Sequence, residues 1–326
     1  MRMGTNRYTC ELTAVLAALT FFVVLPAHAD YAYSSVDFPG VDNSAGGYTQ
    51  IFGISNDGLA VGIAQLNASS RAFSFRLDIK SHLFTLLPEY ATGGTASFTL
   101  AGGINNAGTV VGGETQNNAA TEFAFALSKG TFELLSRPGS TTFTEARAVN
   151  AQGHISGYAL NDSDGTYSGF IYDPVSNVWT DVLPSMATIA QGLNDRDELV
   201  GNVYENAGIV CAACQAGPYG FMRAPGGSVA IFTVNGAQTD ARGITEAGTI
   251  TGYVWVDDGN YAVGFVIPAP QRAGFQVLSV PAKDFVRFPG ATQTFPEGIS
   301  DDGTLAGLWV DGTGAMHGFI ATPPSQ

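Results

Sequence analysis

Apolar and polar positions along this chain alternate in short bursts. Brief runs rich in Val, Ile, Phe, Tyr and Thr are separated by clusters of Gly, Asn and Asp. That is the pattern of half-buried strands joined by tight turns. Helix-favouring runs of Ala, Leu, Glu and Lys are missing after residue 30. The bursts are organised by a ten-residue phrase that recurs six times. It reads Gly53-Ile54-Ser55-Asn56-Asp57-Gly58-Leu59-Ala60-Val61-Gly62 at first and Gly103-Ile104-Asn105-Asn106-Ala107-Gly108-Thr109-Val110-Val111-Gly112 next. Looser copies close at Gly157, Gly201, Gly252 and Gly307, so the closing glycines lie 44 to 55 residues apart. A period of this length means a solenoid, a propeller or a bead array.

Each copy carries more than the phrase. About a dozen residues after the closing glycine comes a small residue followed by Phe: Ala72-Phe73, Ala124-Phe125, Gly169-Phe170, Gly220-Phe221, Gly264-Phe265 and Gly318-Phe319. A further strand-like run follows, as in Phe84–Leu87, Phe132–Leu135, Val178–Leu183, Val229–Phe232 and Gly274–Leu278. A unit therefore reads strand, Asn/Asp-Gly turn, strand, polar loop, strand with Phe, turn, strand. Asn and Gly suit the turn because both tolerate positive φ, and the other glycines mark close backbone approach. The Phe is the expected apolar filler between units. Four short antiparallel strands in about 49 residues is the size of a propeller blade.

The two chain ends bear on ring closure. The sixth unit stops at Gly318–Thr322, followed by Pro323-Pro324, with no fourth strand. A spare strand sits at the other end, Tyr33–Gly40, which resembles Lys283–Gly290 ahead of the last phrase. The expected fold is an all-β, six-bladed propeller whose N-terminal strand completes the last blade and removes an open edge. An open β-solenoid is the alternative, and the variation in period favours blades.

Residues 1–29 read as a secretory signal peptide. Arg2 and Arg7 precede an apolar stretch from Leu12 to Leu25, and Ala27-His28-Ala29 offers a small-x-small cleavage site. The stretch is shorter than the roughly 20 residues that span a bilayer. The expected mature chain, 30–326, is one exported domain, periplasmic or extracellular, not inserted in a membrane, and a monomer.

Composition narrows the partners. The formal net charge is −14 and charged residues are only 13% of the chain, so a basic stripe for nucleic acid is excluded as a theme. Cys10 leaves with the signal peptide. Cys211 and Cys214, in Cys-Ala-Ala-Cys, are the remaining pair. In an exported chain they read as a disulfide stapling a loop, since no second cysteine pair exists for zinc.

Phe-Pro-Gly, Gly-Ile-Asn-Asn-x-Gly-x-Val-Val-Gly and the small-residue–Phe pair together resemble the bacterial extracellular-repeat proteins of the HAF family, across residues 33–320. The resemblance implies export and a β-propeller, and it lends no catalytic residues. The chain departs from the pattern where Asp197 replaces the turn glycine and Thr245 replaces the Asn.

Residues that break a repeat are the better functional candidates. In the strand entering each phrase, two residues before its Ile, Val or Leu stand Phe52, Gly102, Arg147, Gln191, Arg242 and Glu297. Four before stand Gln50, Leu100, Glu145, Ile189, Asp240 and Phe295. Five of these twelve are charged, well above the chain's 13%. If this strand is the innermost of each blade, Glu145, Arg147, Gln191, Asp240, Arg242 and Glu297 converge on the central channel as a ligand site. The bland alternative is ion pairing between blades, Glu145 with Arg242 for example. Asp162 and Asp164, in Asn161-Asp162-Ser163-Asp164-Gly165, are a weak calcium candidate without the downstream acidic ligand. The expectation is otherwise no cofactor. The motifs of common hydrolases are absent, and the mature histidines are His82, His154 and His317. The sequence thus points to a non-catalytic binding module for a carbohydrate or protein. A glycan hydrolase or lyase using the channel carboxylates is the second reading, and a purely structural ring the third.

Overall fold

The computed structural model describes residues 31–90, 98–116, 121–184, 186–204, 217–257, 259–270, 274–282 and 284–324. The expected signal segment, residues 1–29, and the Cys211–Cys214 pair lie outside them. The chain forms a six-bladed β-propeller. Strand β1 (Ala32–Val36) comes first. Blade 1 is β2 (Tyr48–Ile54), β3 (Leu59–Gln65), β4 (Phe73–Asp78) and β5 (Leu83–Leu86). Blade 2 is β6 (Phe98–Ile104), β7 (Val110–Gln116), β8 (Thr121–Ser128) and β9 (Thr131–Leu135). Blade 3 is β10 (Thr144–Val149), β11 (Ile155–Leu160), β12 (Tyr167–Asp173) and β13 (Val178–Asp181). Blade 4 is β14 (Thr188–Leu193), β15 (Leu199–Val203), β16 (Tyr219–Arg223) and β17 (Val229–Val234). Blade 5 begins with β18 (Gln238–Ile244), β19 (Ile250–Val256) and β20 (Tyr261–Ile267). After β21 (Gly274–Val280), blade 5 ends with β22 (Asp284–Val286). Blade 6 is β23 (Gln293–Ile299), β24 (Leu305–Val310) and β25 (Met316–Thr322).

The ring closes as the chain ends foretell. β1 pairs antiparallel with β25 and supplies the missing outer strand, with Ser35 opposite Phe319. His317 reinforces the seam: its Nδ1 lies 2.9 Å from Asp37 Oδ2, and its ring stacks on Trp309.

Each blade repeats one packing rule. The closing glycine of the phrase stands opposite a fully buried Phe on the third strand, in the pairs Gly62–Phe75, Gly112–Phe125, Gly157–Phe170, Gly201–Phe221, Gly252–Phe265 and Gly307–Phe319. A β-carbon at any of these glycines would collide with the backbone carbonyl of the innermost strand, such as Leu100 O or Glu145 O. Gly is therefore required there. Each buried Phe packs in a cluster that spans neighbouring blades. Phe125 lies with Val61 and Ala101, Phe170 with Val111 and Ala146, and Phe265 with Val200 and Ala241. Full burial of each such ring contributes about 1.5–3 kcal/mol.

Three details differ from the sequence reading. In the first unit the buried ring is Phe75, with Ser74 as its small neighbour; Phe73 is only half-buried. The strand Gly274–Val280 does not finish blade 5. It crosses to blade 4 and runs parallel beside β17, giving that blade a fifth strand, while the three-residue β22 closes blade 5. The phrase Asn does not supply positive φ. Gly108 does at its turn (φ 78°), and Asp197 holds the same left-handed conformation (φ 59°) where the glycine is replaced. The Asn is there to bond: Asn105 Oδ1 accepts from Thr109 N within its turn, and its Nδ2 donates to Asn150 O of the next blade. Asn150 and Asn194 repeat this bridge.

Candidate functional site

The innermost strand of every blade carries a β-bulge at one equivalent point. The pairing register slips between Ile51 and Gly53, Ala101 and Gly103, Ala146 and Ala148, Ala190 and Leu193, Ala241 and Gly243, and Pro296 and Gly298. A bulge leaves one residue unpaired and re-aims its side chain. In all six blades the residue singled out in the sequence, two before the phrase's branched residue, falls in this slip. Neighbouring inner strands are closest beside it: a β-carbon on Gly53 would lie 2.8 Å from Gly103 Cα, and one on Gly192 2.9 Å from Gly243 Cα. The bulged residues line a cavity of about 120 Å³ on the ring axis, at the end where the phrase turns lie.

Arg147, Gln191, Arg242 and Glu297 are brought together in this cavity, with Phe52 and Gly102 filling the slots of blades 1 and 2. Glu145 and Asp240, one step deeper on the same strands, hold two of these side chains from behind. Arg147 Nη1 is 2.8 Å from Glu145 Oε1, and its Nε donates to Gln191 Oε1 at 2.9 Å. Its guanidinium carbon lies 5.9 Å from the centre of the Phe52 ring, within cation–π range. Arg242 Nη1 is 3.3 Å from Glu297 Oε2 and Nη2 3.9 Å from Asp240 Oδ1, and Arg242 also donates to the Tyr253 hydroxyl. The ion pairs thus form within a strand and between adjacent blades. The partner of Arg242 is Glu297 and that of Arg147 is Glu145, so the expected Glu145–Arg242 pair does not form.

Two electrostatic regimes result. Around Arg242, burial works against its charge, but Glu297, Tyr253 and Asp240 together push its pKa above the ordinary value. Burial raises the Glu297 and Asp240 carboxyls, and Arg242 partly counteracts this. Asp240 Oδ2 also accepts from Trp255 Nε1 at 2.6 Å. Around Arg147 the acids outnumber the base. Tyr158 donates to Glu145 Oε2 at 2.5 Å. Glu122 of the neighbouring blade is pushed up to about 8, first by burial and then by Glu145 and Glu114.

Above the guanidinium layer, the phrase turns form a ring that sequence reading missed. The residue after the phrase's third position is Asn56, Asn106, Ala151, Asp195, Glu246 or Asp301 in successive blades, all at the cavity rim. The backbone N–H of Asn56 donates to Asn106 Oδ1 at 2.8 Å, and that of Ala151 to Asp195 Oδ1 at 2.6 Å. Asp195 N–H donates to Glu246 Oε1. Glu246 N–H donates to Asp301 Oδ1 at 2.7 Å, and Asp301 N–H to Asn56 Oδ1 at 2.8 Å. The available signal was an oxygen-bearing side chain at this slot in five of six copies, hidden because the slot varies in residue type.

The remaining candidates sit elsewhere. Asp162 Oδ2 accepts from Thr141 N of the loop between β9 and β10, and Asp164 Oδ1 from Thr166 within its own turn. Among the described residues no group of three or more His, Cys, Asp or Glu side chains is arranged to hold a metal ion. His154 is partly buried between Asp197, 2.8 Å from its Nδ1, and Asp173, away from the axis.

No family model matches the chain, and no curated protein matches it. Solved structures of similar shape exist at low identity. A candidate gluconolactonase is 9% identical with a TM-score of 0.44, covering 92% of this chain and 94% of that one. The β-propeller domain of the Trilobed protease from Pyrococcus furiosus is 10% identical with a TM-score of 0.44, covering 86% and 83%. An oligogalacturonate lyase in complex with manganese is 8% identical with a TM-score of 0.39, covering 90% and 97%. These likenesses concern the fold alone.

Proposed function

We propose that the protein is an exported, HAF-like binding propeller that holds a carbohydrate at the channel mouth without transforming it. The observation that carries the reading is the set of six equivalent bulges. They place one residue per blade at the axis, and in four consecutive blades that residue is Arg147, Gln191, Arg242 or Glu297. Planar donors and acceptors around a small cavity, with Phe52 as an apolar face, are the groups that hydroxyl-bearing rings bind. Ion pairing among the same side chains holds them in place before a ligand arrives, which lowers the ordering cost of binding.

One observation favours a catalytic reading. Burial pushes the Glu122 carboxyl up to about 8, which suits an acid, and Glu145 is a second carboxyl group near it. A glycan array with the purified protein, scored for both retention and released sugar, separates the two. Retention without release supports the binding module. Released sugar overturns it and makes Glu122, Glu145, Asp240 and Glu297 the groups to mutate. Absence of both outcomes leaves the carbohydrate reading wrong and points to a protein ligand.

A further inference from the structure

The rim of the channel is built to a rule that one blade breaks. In five of the six inter-blade links, the backbone N–H of one phrase turn donates to a side-chain oxygen of the next. The sixth would run from Asn106 N–H in blade 2 to blade 3, where the slot holds Ala151. A methyl group accepts nothing, and among the described residues no backbone or side-chain group accepts from the exposed Asn106 N–H. The turns themselves are unchanged there: Asn105 Nδ2 still bridges to Asn150 O at 2.9 Å, so the missing link is a missing side chain and not a displaced backbone.

The missing link lies in the same sector as the most available donor of the floor. Arg147, on blade 3, commits Nε to Gln191 and Nη1 to Glu145, which leaves Nη2 without a protein partner among the described residues. Its side chain is 19% exposed, against 13% for Arg242. The opposite half of the rim has the reverse character, with Asp195, Glu246 and Asp301 on three consecutive blades. Each uses one oxygen to bond the preceding turn; the second oxygen of Asp301 accepts from Asn56 Nδ2, and Asp195 and Glu246, with a second oxygen each, line the mouth.

We infer that the open link between blades 2 and 3 is the ligand's docking point: an oxygen of the ligand takes the place of the side chain that Ala151 lacks. This rests on the carbohydrate reading above and specifies its chemistry. A ligand seated there offers an acceptor oxygen to Asn106 N–H and Arg147, and hydroxyl hydrogens to the carboxylates across the rim. The class that fits is an uncharged, hydroxyl-rich ring. A uronate would meet three carboxylates across a narrow mouth and is disfavoured by like-charge repulsion.

The test is Ala151→Asp, which supplies the missing acceptor from the protein itself. Backbone amide exchange, resolved by NMR, reads the link without any ligand. In the unaltered protein Asn106 N–H exchanges at least tenfold faster than the N–H groups of Asn56 and Asp301, and Ala151→Asp slows it to their level. Titration with the neutral disaccharides and uronates of the array then reads the docking. Ala151→Asp weakens the neutral sugar at least tenfold with no fall in melting temperature, whereas Ala107→Asp, which adds the same charge on the adjoining turn, leaves binding as it was. Equal protection of Asn106 in the unaltered protein overturns the open link whatever the sugars do. Undiminished sugar binding by Ala151→Asp, or tighter binding of uronates than of neutral sugars, overturns the docking point. No binding of any sugar by the unaltered protein, with Asn106 exchanging fast, defeats the carbohydrate reading and the docking with it, leaving only the open link.

Discussion

Blades 1 and 2 and blades 3 to 6 share one backbone and differ in what they show the axis. All six have the bulge, the closing glycine and the buried Phe facing it. At the bulge, blades 1 and 2 carry Phe52 and Gly102, whereas blades 3 to 6 carry Arg147, Gln191, Arg242 and Glu297. Architecture and candidate chemistry therefore occupy separate positions in the repeat. The glycine and Phe are constrained by contacts within and between blades. The bulged residue faces the axial cavity and bonds to its neighbours there, as Arg147 does to Gln191 and Arg242 to Glu297, so its chemistry differs between blades while the glycine and Phe do not.

If that separation is real, core substitutions cost the same in both sectors. Phe125→Ala in blade 2 and Phe170→Ala in blade 3 each lose about 3–5 kcal/mol, read by urea unfolding. A difference between them larger than the cavity effects would show that the sectors are not equivalent frameworks.

The axial column should behave oppositely. Arg242→Gln leaves Glu297 and Asp240 buried without their cation and costs about 3–5 kcal/mol, whereas Phe52→Leu in the same slot of blade 1 costs under about 1.5 kcal/mol. Both carboxyls already take up protons more readily than usual. The Arg242→Gln defect is therefore smaller at mildly acidic pH than at neutral pH, and a defect that grows on acidification contradicts the assignment.

A third test is a pH slope. The Glu122 carboxyl has a folded pKa of about 8 against 4.5 for the free group. The folded state binds the extra proton between these values, so this group's contribution makes stability fall as pH rises from about 4.5 to about 8. Glu122→Gln flattens that part of the profile and stabilises the protein at the alkaline end. An unchanged profile would place Glu122 in water.

The smallest effect belongs to the rim. Asp301→Ala removes the acceptor for Glu246 N–H and the partner of Asn56 Nδ2, costing about 1–2 kcal/mol. Ala151→Gly, which removes a side chain that makes no rim bond and keeps the backbone bond to Asp195, costs less than half as much.

The fold was legible in the sequence because its constraints repeat. Six copies of the glycine and Phe spacing expose a blade, and the surplus strand at Tyr33 exposes the closure. Phe73 was mistaken for Phe75 because two aromatics lie two residues apart on one strand, and only the pairing of Phe75 with Gly62 decides between them. The crossing of Gly274–Val280 to blade 4 was invisible because a strand's composition does not record which edge it joins. The column of candidate residues stands out by its departure from the repeat. Its pairing does not, because a bulge lets residues two apart, Glu145 and Arg147, meet directly. The rim ring escaped because Asn, Asp and Glu perform the same bond under different letters.

The central claim is that the bulged side chains of blades 3 to 6 form the ligand site. Its most direct test is a calorimetric titration of the array-selected sugar into three proteins: unaltered, Arg147→Gln and Arg137→Gln. Arg137 is also ion-paired, 2.7 Å from Asp181, but stands outside the channel mouth. The account requires that Arg147→Gln loses binding at least tenfold while Arg137→Gln keeps it. Equal affinity in all three proteins would contradict it.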